Sequence, residues 1–174
     1  MKYFAVLITA GFLGWFLDPM IAFVILFSLG DAHIELATEV SSARPEPNTG
    51  WAKNLPCWRK DPAPWYWRLL LGPHKPMTGY HAWRIPTLIF FFHLPLFFGM
   101  DWSLSAEART LFWFLLYGYL EDYLWFFFHP SYGPKKFISE GRAGKIYWMP
   151  VFWGPFPRDY YMTLFPIVGL WFLA

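Results

Sequence analysis

The sequence predicts an all-α integral membrane protein, built as a bundle of about four transmembrane helices with aromatic-rich interfacial segments in two long cytoplasmic loops. Of the 174 residues, 56% are hydrophobic and only 15% are charged, which is more apolar than is usual for a soluble domain. Aromatic residues make up 24% of the chain, and Trp and Tyr favour the membrane–water boundary. The hydrophobic residues also fall into four blocks, which we interpret as a single transmembrane domain over residues 1–174.

The four predicted spans occupy residues 3–29, 86–102, 104–128 and 160–174. As a helix the first would measure roughly 40 Å, which exceeds a hydrocarbon thickness of roughly 30 Å. Asp18-Pro19 interrupts it, so the sequence predicts one kinked helix or, alternatively, a re-entrant hairpin of two short arms. The second span is short and contains Pro95. For the third span, Ser103 and Ser105 are the candidate N-caps, and the helix must end before Pro130 because the residue preceding a proline resists helical geometry.

Charge placement predicts how the spans are oriented. The loop over residues 31–85 holds seven Lys or Arg and the loop over 131–159 holds five. By the positive-inside tendency, both loops would face the cytoplasm of a bacterial inner (plasma) membrane, with both termini on the far side. The aromatic stretches 63–72 and 147–157 are expected to rest at the membrane surface.

Two adjacent carboxyl groups, Glu121 and Asp122, lie deep inside the third block. Ionisable groups in such a segment are costly and usually face a protein interior, so both are candidate catalytic residues. His129 follows Asp122 by seven residues, which places the two within about 20° of one helix face. Two alternatives stay open. The carboxyl groups could relay protons or hydrogen-bond a lipid headgroup, or they could have a structural role, bonded to Tyr or Trp donors or paired with a loop arginine that locks the bundle.

The histidines suggest a metal site. A carboxylate and imidazoles from different segments could hold a divalent metal ion, and the candidate ligands are His129, His93, His33 and Glu35. His129 lies about 10 Å from Asp122 along the helix axis, so the two cannot bind one ion directly. We therefore expect His33 with Glu35 to supply a site at the boundary and His93 a deeper one. The structural alternative for His93 is a hydrogen bond to a carbonyl freed by the Pro95 kink.

Asp31, Glu35 and Glu39 repeat every four residues and would form an acidic stripe on a continued helix. Like charges at that spacing repel, so the stripe predicts a compensating partner. His74 and His81 in the same loop could contribute to a site there.

Several classes of function are disfavoured. The net charge of +2 gives no indication of nucleic-acid binding. The single cysteine, Cys57, permits no intrachain disulfide or thiolate cluster. There is no HExxH, phosphate-binding loop or CxxCH haem site, and four short spans enclose too little volume for a transporter. Two expectations remain open: a metal-assisted enzyme acting on an apolar or lipid-like substrate from the bilayer, or a non-catalytic accessory subunit packed against other membrane subunits.

Overall fold

The computed structural model of the chain describes residues 2–38, 59–60, 62–71, 77–129, 132–146 and 149–174, which are mostly helical. The helices in these ranges are α1 (Lys2–Phe16), α2 (Pro19–Thr38), α3 (Trp65–Leu71), α4 (Gly79–Phe92), α5 (Leu94–Phe97), α6 (Leu104–Phe128), α7 (Gly133–Arg142) and α8 (Arg158–Leu173). The strands are β1 (Arg59–Lys60), β2 (Met77–Thr78), β3 (Phe152–Trp153) and β4 (Phe156–Pro157). Strand β1 pairs antiparallel with β2, and β3 pairs antiparallel with β4.

The first hydrophobic block forms two helices rather than one kinked helix. The chain breaks before Pro19, and Asp18 Oδ1 accepts a hydrogen bond from the Met20 N–H at 2.7 Å, which satisfies a free donor at the start of α2. Gly14 of α1 lies against Ala22 of α2 so closely that a Cβ at Gly14 would fall 2.3 Å from the Ala22 Cβ. The block therefore forms two separate helices, as in the two-arm alternative. Helix α2 continues to Thr38, beyond the predicted end at residue 29.

Helix α6 is the central element, since α2, α4, α7 and α8 all pack against it. It occupies the bounds expected for a helix over 104–128, and Ser103 caps it by accepting a hydrogen bond from the Ala106 N–H at 3.0 Å. The second block is broken at His93, between α4 and α5. The aromatic stretch 147–157 contains the β3–β4 hairpin, which turns at Gly154 with a φ of +63°.

Two hydrophobic clusters contact α6 at different heights. The first cluster contains Leu29, Ala32, Leu124, Trp125, Phe126, Phe137, Ile146, Met149 and Tyr160. The second cluster contains Val24, Leu88, Phe92, Phe112, Trp113, Tyr117 and Ile167. Glu121 lies on α6 one turn after Tyr117 and one turn before Leu124, so its carboxyl group is positioned between the two clusters.

The predicted integral membrane four-helix bundle is wrong. No helix within the described ranges combines the length and the apolar composition needed to cross a membrane. The first block is divided at Asp18, so α1 has 15 residues and reaches only about 22 Å. Helix α6 is long enough, but it carries Glu107 and Arg109 in addition to Glu121 and Asp122.

The same finding overturns the spans over 3–29, 86–102, 104–128 and 160–174, and with them the placement in a bacterial inner membrane with cytoplasmic loops. Part of the first predicted loop lies outside the described residues, namely 39–58, 61 and 72–76, which include Glu39, Cys57 and His74.

Candidate acid–base site

Arg84 is the centre of a buried polar cluster where α2, α4 and α6 meet. Its Nε donates to Asp31 Oδ2 at 2.8 Å, and its Nη2 donates to the same oxygen. Its Nη1 donates to Glu35 Oε2 at 3.2 Å, and Nη2 lies 3.0 Å from Glu121 Oε2. His81 Nε2 lies 3.7 Å from Glu35 Oε1. We call these five residues the Arg84 site.

The positions of these residues follow from helical spacing. Asp31 and Glu35 are one turn apart on α2 and face the same neighbour. His81 and Arg84 are three residues apart on α4, so they also share a face. The acidic stripe expected on α2 is thus confirmed as far as Glu35, and Arg84 supplies the compensating charge.

Tyr117 of α6 connects the Arg84 site to the second cluster. Its hydroxyl donates to Asp31 Oδ2 and lies 3.1 Å from Arg84 Nη2. Ser28 Oγ of α2 donates to the Tyr117 carbonyl at 3.1 Å within the buried interface, which fixes α2 against α6. The ring centroid of Tyr117 lies 5.5 Å from that of Phe92. One side of the site is therefore an aromatic wall.

Glu121 is the most perturbed acid of the site. The residue is 5% exposed, and burial raises its pKa well above the usual range, since desolvation penalises the charged form. The neighbouring Glu35 raises the pKa further, while Arg84 opposes the rise. Burial also raises the pKa of Asp31, with Arg84 again opposing it. Among the described residues, one guanidinium faces three carboxyl groups, and the raised pKa of Glu121 means that this carboxyl group keeps its proton to a higher pH than an exposed glutamate does.

The two oxygens of Glu121 have different surroundings. Oε2 faces Arg84, whereas Oε1 is fully buried and meets no N–H or O–H donor among the described residues. The side chain of Glu35 lies within hydrogen-bonding reach of Glu121, and two carboxyl groups can share a hydrogen bond only when one of them carries a proton.

Asp122, the other candidate catalytic residue, lies apart from this cluster. Tyr160 of α8 donates its hydroxyl to Asp122 Oδ2 at 2.7 Å. Tyr160 is buried, and burial together with Asp122 raises the pKa of its hydroxyl well above the usual range. Asp122 thus accepts a hydrogen bond from a tyrosine, and Glu121 pairs with an arginine; both contacts belong to the structural alternative.

The candidate metal ligands do not converge. His33 Nδ1 bonds to the Leu29 carbonyl oxygen at 2.7 Å, within its own helix. His129 is buried beside Trp125, with 4.5 Å between ring centroids, and burial lowers the pKa of its imidazole. Glu35 belongs to the Arg84 site.

His93 belongs to a separate contact at the far end of α4. Its Nδ1 bonds to the Ile89 carbonyl oxygen at 2.6 Å, and its Nε2 bonds to Glu107 Oε1 at 3.0 Å. A carbonyl and a carboxylate both accept, so the protonated imidazolium makes both contacts at once, and these hydrogen bonds raise the pKa of His93 although burial lowers it. The carbonyl contact agrees with the structural alternative expected for His93.

Among the described residues, no group of three or more His, Cys, Asp or Glu side chains is arranged to hold a metal ion. The metal site predicted from His129, His93, His33 and Glu35 is therefore not supported. The physical reason is that each of these side chains lies in a different local environment, with its own partners.

Sequence reasoning missed Arg84 as a site residue, because it counted that arginine only as a loop charge. It also missed Tyr117 and Tyr160. The signal for Arg84 was the unneutralised stripe on α2, which required a cation. No such signal distinguished Tyr117 from the other nine tyrosines of the chain.

Comparisons of the chain with protein-family models, curated proteins and solved structures give no match. The function is therefore argued from the chemistry of the Arg84 site.

Proposed function

We propose that the protein is a proton-transfer enzyme acting on an apolar, lipid-like substrate, with Glu121 as the acid. The observation that carries this proposal is the buried pair of Glu121 and Glu35, whose carboxyl groups interact with each other and share the guanidinium of Arg84. A carboxyl group that remains protonated near neutral pH is able to act as a general acid.

Glu35 is the proposed base. It lies next to Glu121 and is also held by Arg84; in the proposed cycle one carboxyl group of the pair carries a proton while the other is ionised. The proton of Glu121 passes to the substrate, and Glu35 takes a proton from another atom of the substrate. Total charge and proton number are conserved, and Arg84 stabilises whichever carboxyl group is ionised. Pairs of titratable groups with diverging pKa values are a common arrangement for such chemistry.

Deuterium transfer tests this proposal. The purified protein is incubated in deuterium oxide with an apolar cell extract, and the extracted molecules are analysed by mass spectrometry. We expect deuterium to enter at least one apolar compound, and to fall to background with Glu121→Gln and with Glu35→Gln. Glu140→Gln is the matched control, because Glu140 pairs with Lys136 near the surface of α7 at 3.6 Å. Transfer that persists in both site variants, or is absent in the unaltered protein, would contradict the proposal.

A second candidate function is that of a subunit in a larger complex, and it rests on a different observation. Helix α1 packs mainly on α2 and leaves large apolar side chains exposed, among them Phe4 at 68%, Phe12 at 61% and Trp15 at 84%. A helix that exposes several large apolar side chains is a candidate interaction surface. If this candidate is correct, the native protein purifies with a partner in a fixed ratio. Trp15→Asp should then abolish co-purification of the partner, whereas Glu121→Gln should not. A lone native protein would contradict it.

A further inference from the structure

Residues 94–102, which we call the strap, connect α4 to α6 and bury little of their surface. None of the four residues of α5 is buried, and residues 97–102 are all exposed, including Phe98 at 84% and Trp102 at 64%. The chain turns at Gly99, whose φ of +106° is a conformation that favours glycine. A segment with so little buried apolar surface has low local stability, so its position depends on polar contacts at its ends.

One carboxylate, that of Glu107 in the first turn of α6, contacts both ends of the strap. Its Oε1 lies 3.0 Å from Nε2 of His93, the residue immediately before the strap. Its Oε2 accepts a hydrogen bond from Nε1 of Trp102, the last strap residue, at 3.3 Å. His93 is in turn bound to α4, because its Nδ1 bonds to the Ile89 carbonyl oxygen at 2.6 Å. Glu107 and His93 together therefore hold the strap between α4 and α6.

The double contact of His93 depends on one proton. Both of its partners are acceptors, so the ring must donate from both nitrogens, which only the imidazolium can do. A neutral imidazole has a single N–H and turns a lone pair toward the other oxygen. Whichever nitrogen loses its proton, either the bond to Ile89 or the bond to Glu107 is lost. The path of contacts from α4 through His93 to Glu107 is then interrupted.

The charges around His93 set the direction of the pH dependence. Glu107 is the charged side chain that His93 contacts in the described part of the chain. Arg109, also on α6, donates to the Ala174 carbonyl oxygen at 3.2 Å, and Asp101 is exposed on the strap. Burial lowers the pKa of His93, but its two hydrogen bonds raise it more, so the folded-state pKa lies above the ordinary value of 6.5. The double contact therefore forms at lower pH and is lost as the pH rises through the folded-state value.

From this geometry we propose that His93 and Glu107 form a pH-controlled closure of the strap. With His93 protonated, the strap is held against α6. When His93 gives up its proton to water, the strap is released at its start and uncovers the half-buried side chains of Leu94 and Leu96. The proton has access to solvent, because the side chain of His93 is 18% exposed and that of Glu107 is 29% exposed. The closure is separate from the proposed acid–base chemistry, since it shares no residue with the Arg84 site.

Hydrogen exchange of the strap amides tests this inference. Residues 96, 97, 98 and 100 donate backbone hydrogen bonds to carbonyl groups of residues 93–95, so their exchange reports release of the strap. Exchange is measured by mass spectrometry on the purified protein at about pH 5.5 and about pH 9, on either side of the histidine range, and each rate is divided by the intrinsic rate at that pH. We expect protection of the strap to fall about three- to tenfold at the higher pH, because one partly exposed hydrogen bond is worth about that factor.

Three variants identify the groups responsible. His93→Phe removes both ring nitrogens, and Glu107→Ala removes the carboxylate; in both, strap protection should be low at either pH. Asp101→Asn is the matched control, since it neutralises an exposed carboxyl group of the same strap and should keep the pH dependence. Exchange of peptides from residues 112–126 of α6 shows in each case whether the fold is intact. Equal protection of the strap at both pH values in the unaltered protein, or a pH dependence that survives in His93→Phe or Glu107→Ala, would overturn the inference.

Discussion

Replacing Arg84 by Met should unfold the protein in a pH-dependent way. The substitution removes the only guanidinium that Asp31, Glu35 and Glu121 share in the described part of the chain, and its side chain is only 12% exposed. Removing one partner of a buried ion pair typically costs about 3–5 kcal/mol, because the remaining charge is left uncompensated.

The cost of protonating a carboxyl group leads to a similar loss of unfolding free energy. The variant can relieve the repulsion by protonating one further carboxyl group. From an ordinary glutamate pKa of about 4.3, that costs about 3.7 kcal/mol at pH 7 and only about 1 kcal/mol at pH 5. We therefore expect Arg84→Met to lose about 3–4 kcal/mol of unfolding free energy at pH 7 and to recover most of it near pH 5.

Urea unfolding followed by circular dichroism at both pH values measures the effect. The control is Lys135→Met, which removes an exposed positive charge from α7 and should change the free energy of unfolding by less than about 0.5 kcal/mol. If Arg84→Met costs no more than the control at pH 7, or if the loss is the same at pH 5, the charge balance described for the site is incorrect.

Two further predictions concern other parts of the fold. Gly141→Ala should destabilise the protein by about 1–3 kcal/mol, because a Cβ there would lie 2.0–2.4 Å from ring atoms of Phe152. The control is Gly118→Ala, whose added Cβ meets nothing within 4 Å and should be neutral or stabilising. Equal effects of the two variants in thermal unfolding would refute this packing. At His93, burial lowers the pKa, but the hydrogen bonds that the ring donates to Glu107 and to the Ile89 carbonyl outweigh it, so the net pKa is raised. The stabilisation is then fully present below the unfolded-state pKa of about 6.5 and is lost as the pH rises through the folded-state value. His93→Gln should abolish this dependence in urea unfolding, and an unchanged pH profile would count against the contact.

The sequence predicted helices well where local signals define both ends. The bounds of α6 follow from the Ser103 cap and from Pro130, and these signals act within a few residues. The break at Asp18 was also visible, because an interior proline cannot continue the hydrogen-bond ladder. Hydropathy did not predict the break in the second block. Helix α4 ends at Phe92 and α5 begins at Leu94, so the predicted span over 86–102 contains parts of two helices.

The site was harder to predict because it depends on contacts between distant residues. Glu121 was identified from its cost of burial, and the stripe of Asp31 and Glu35 from its repulsion. Joining them requires Arg84, which lies about fifty positions from Asp31 and reaches it only through tertiary packing. The predicted metal site failed for the same reason, since helical spacing alone cannot bring histidines from different elements together.

The most direct test of the central claim is the protonation state of Glu121. Infrared difference spectroscopy of the purified protein in light and heavy water detects the carbonyl stretch of a neutral carboxylic acid. We predict such a band at about pH 7, where a free glutamate with a pKa near 4.3 would be fully ionised, and its loss in Glu121→Gln but not in Glu140→Gln. Absence of the band, or its persistence in Glu121→Gln, would show that Glu121 holds no proton and would contradict the account.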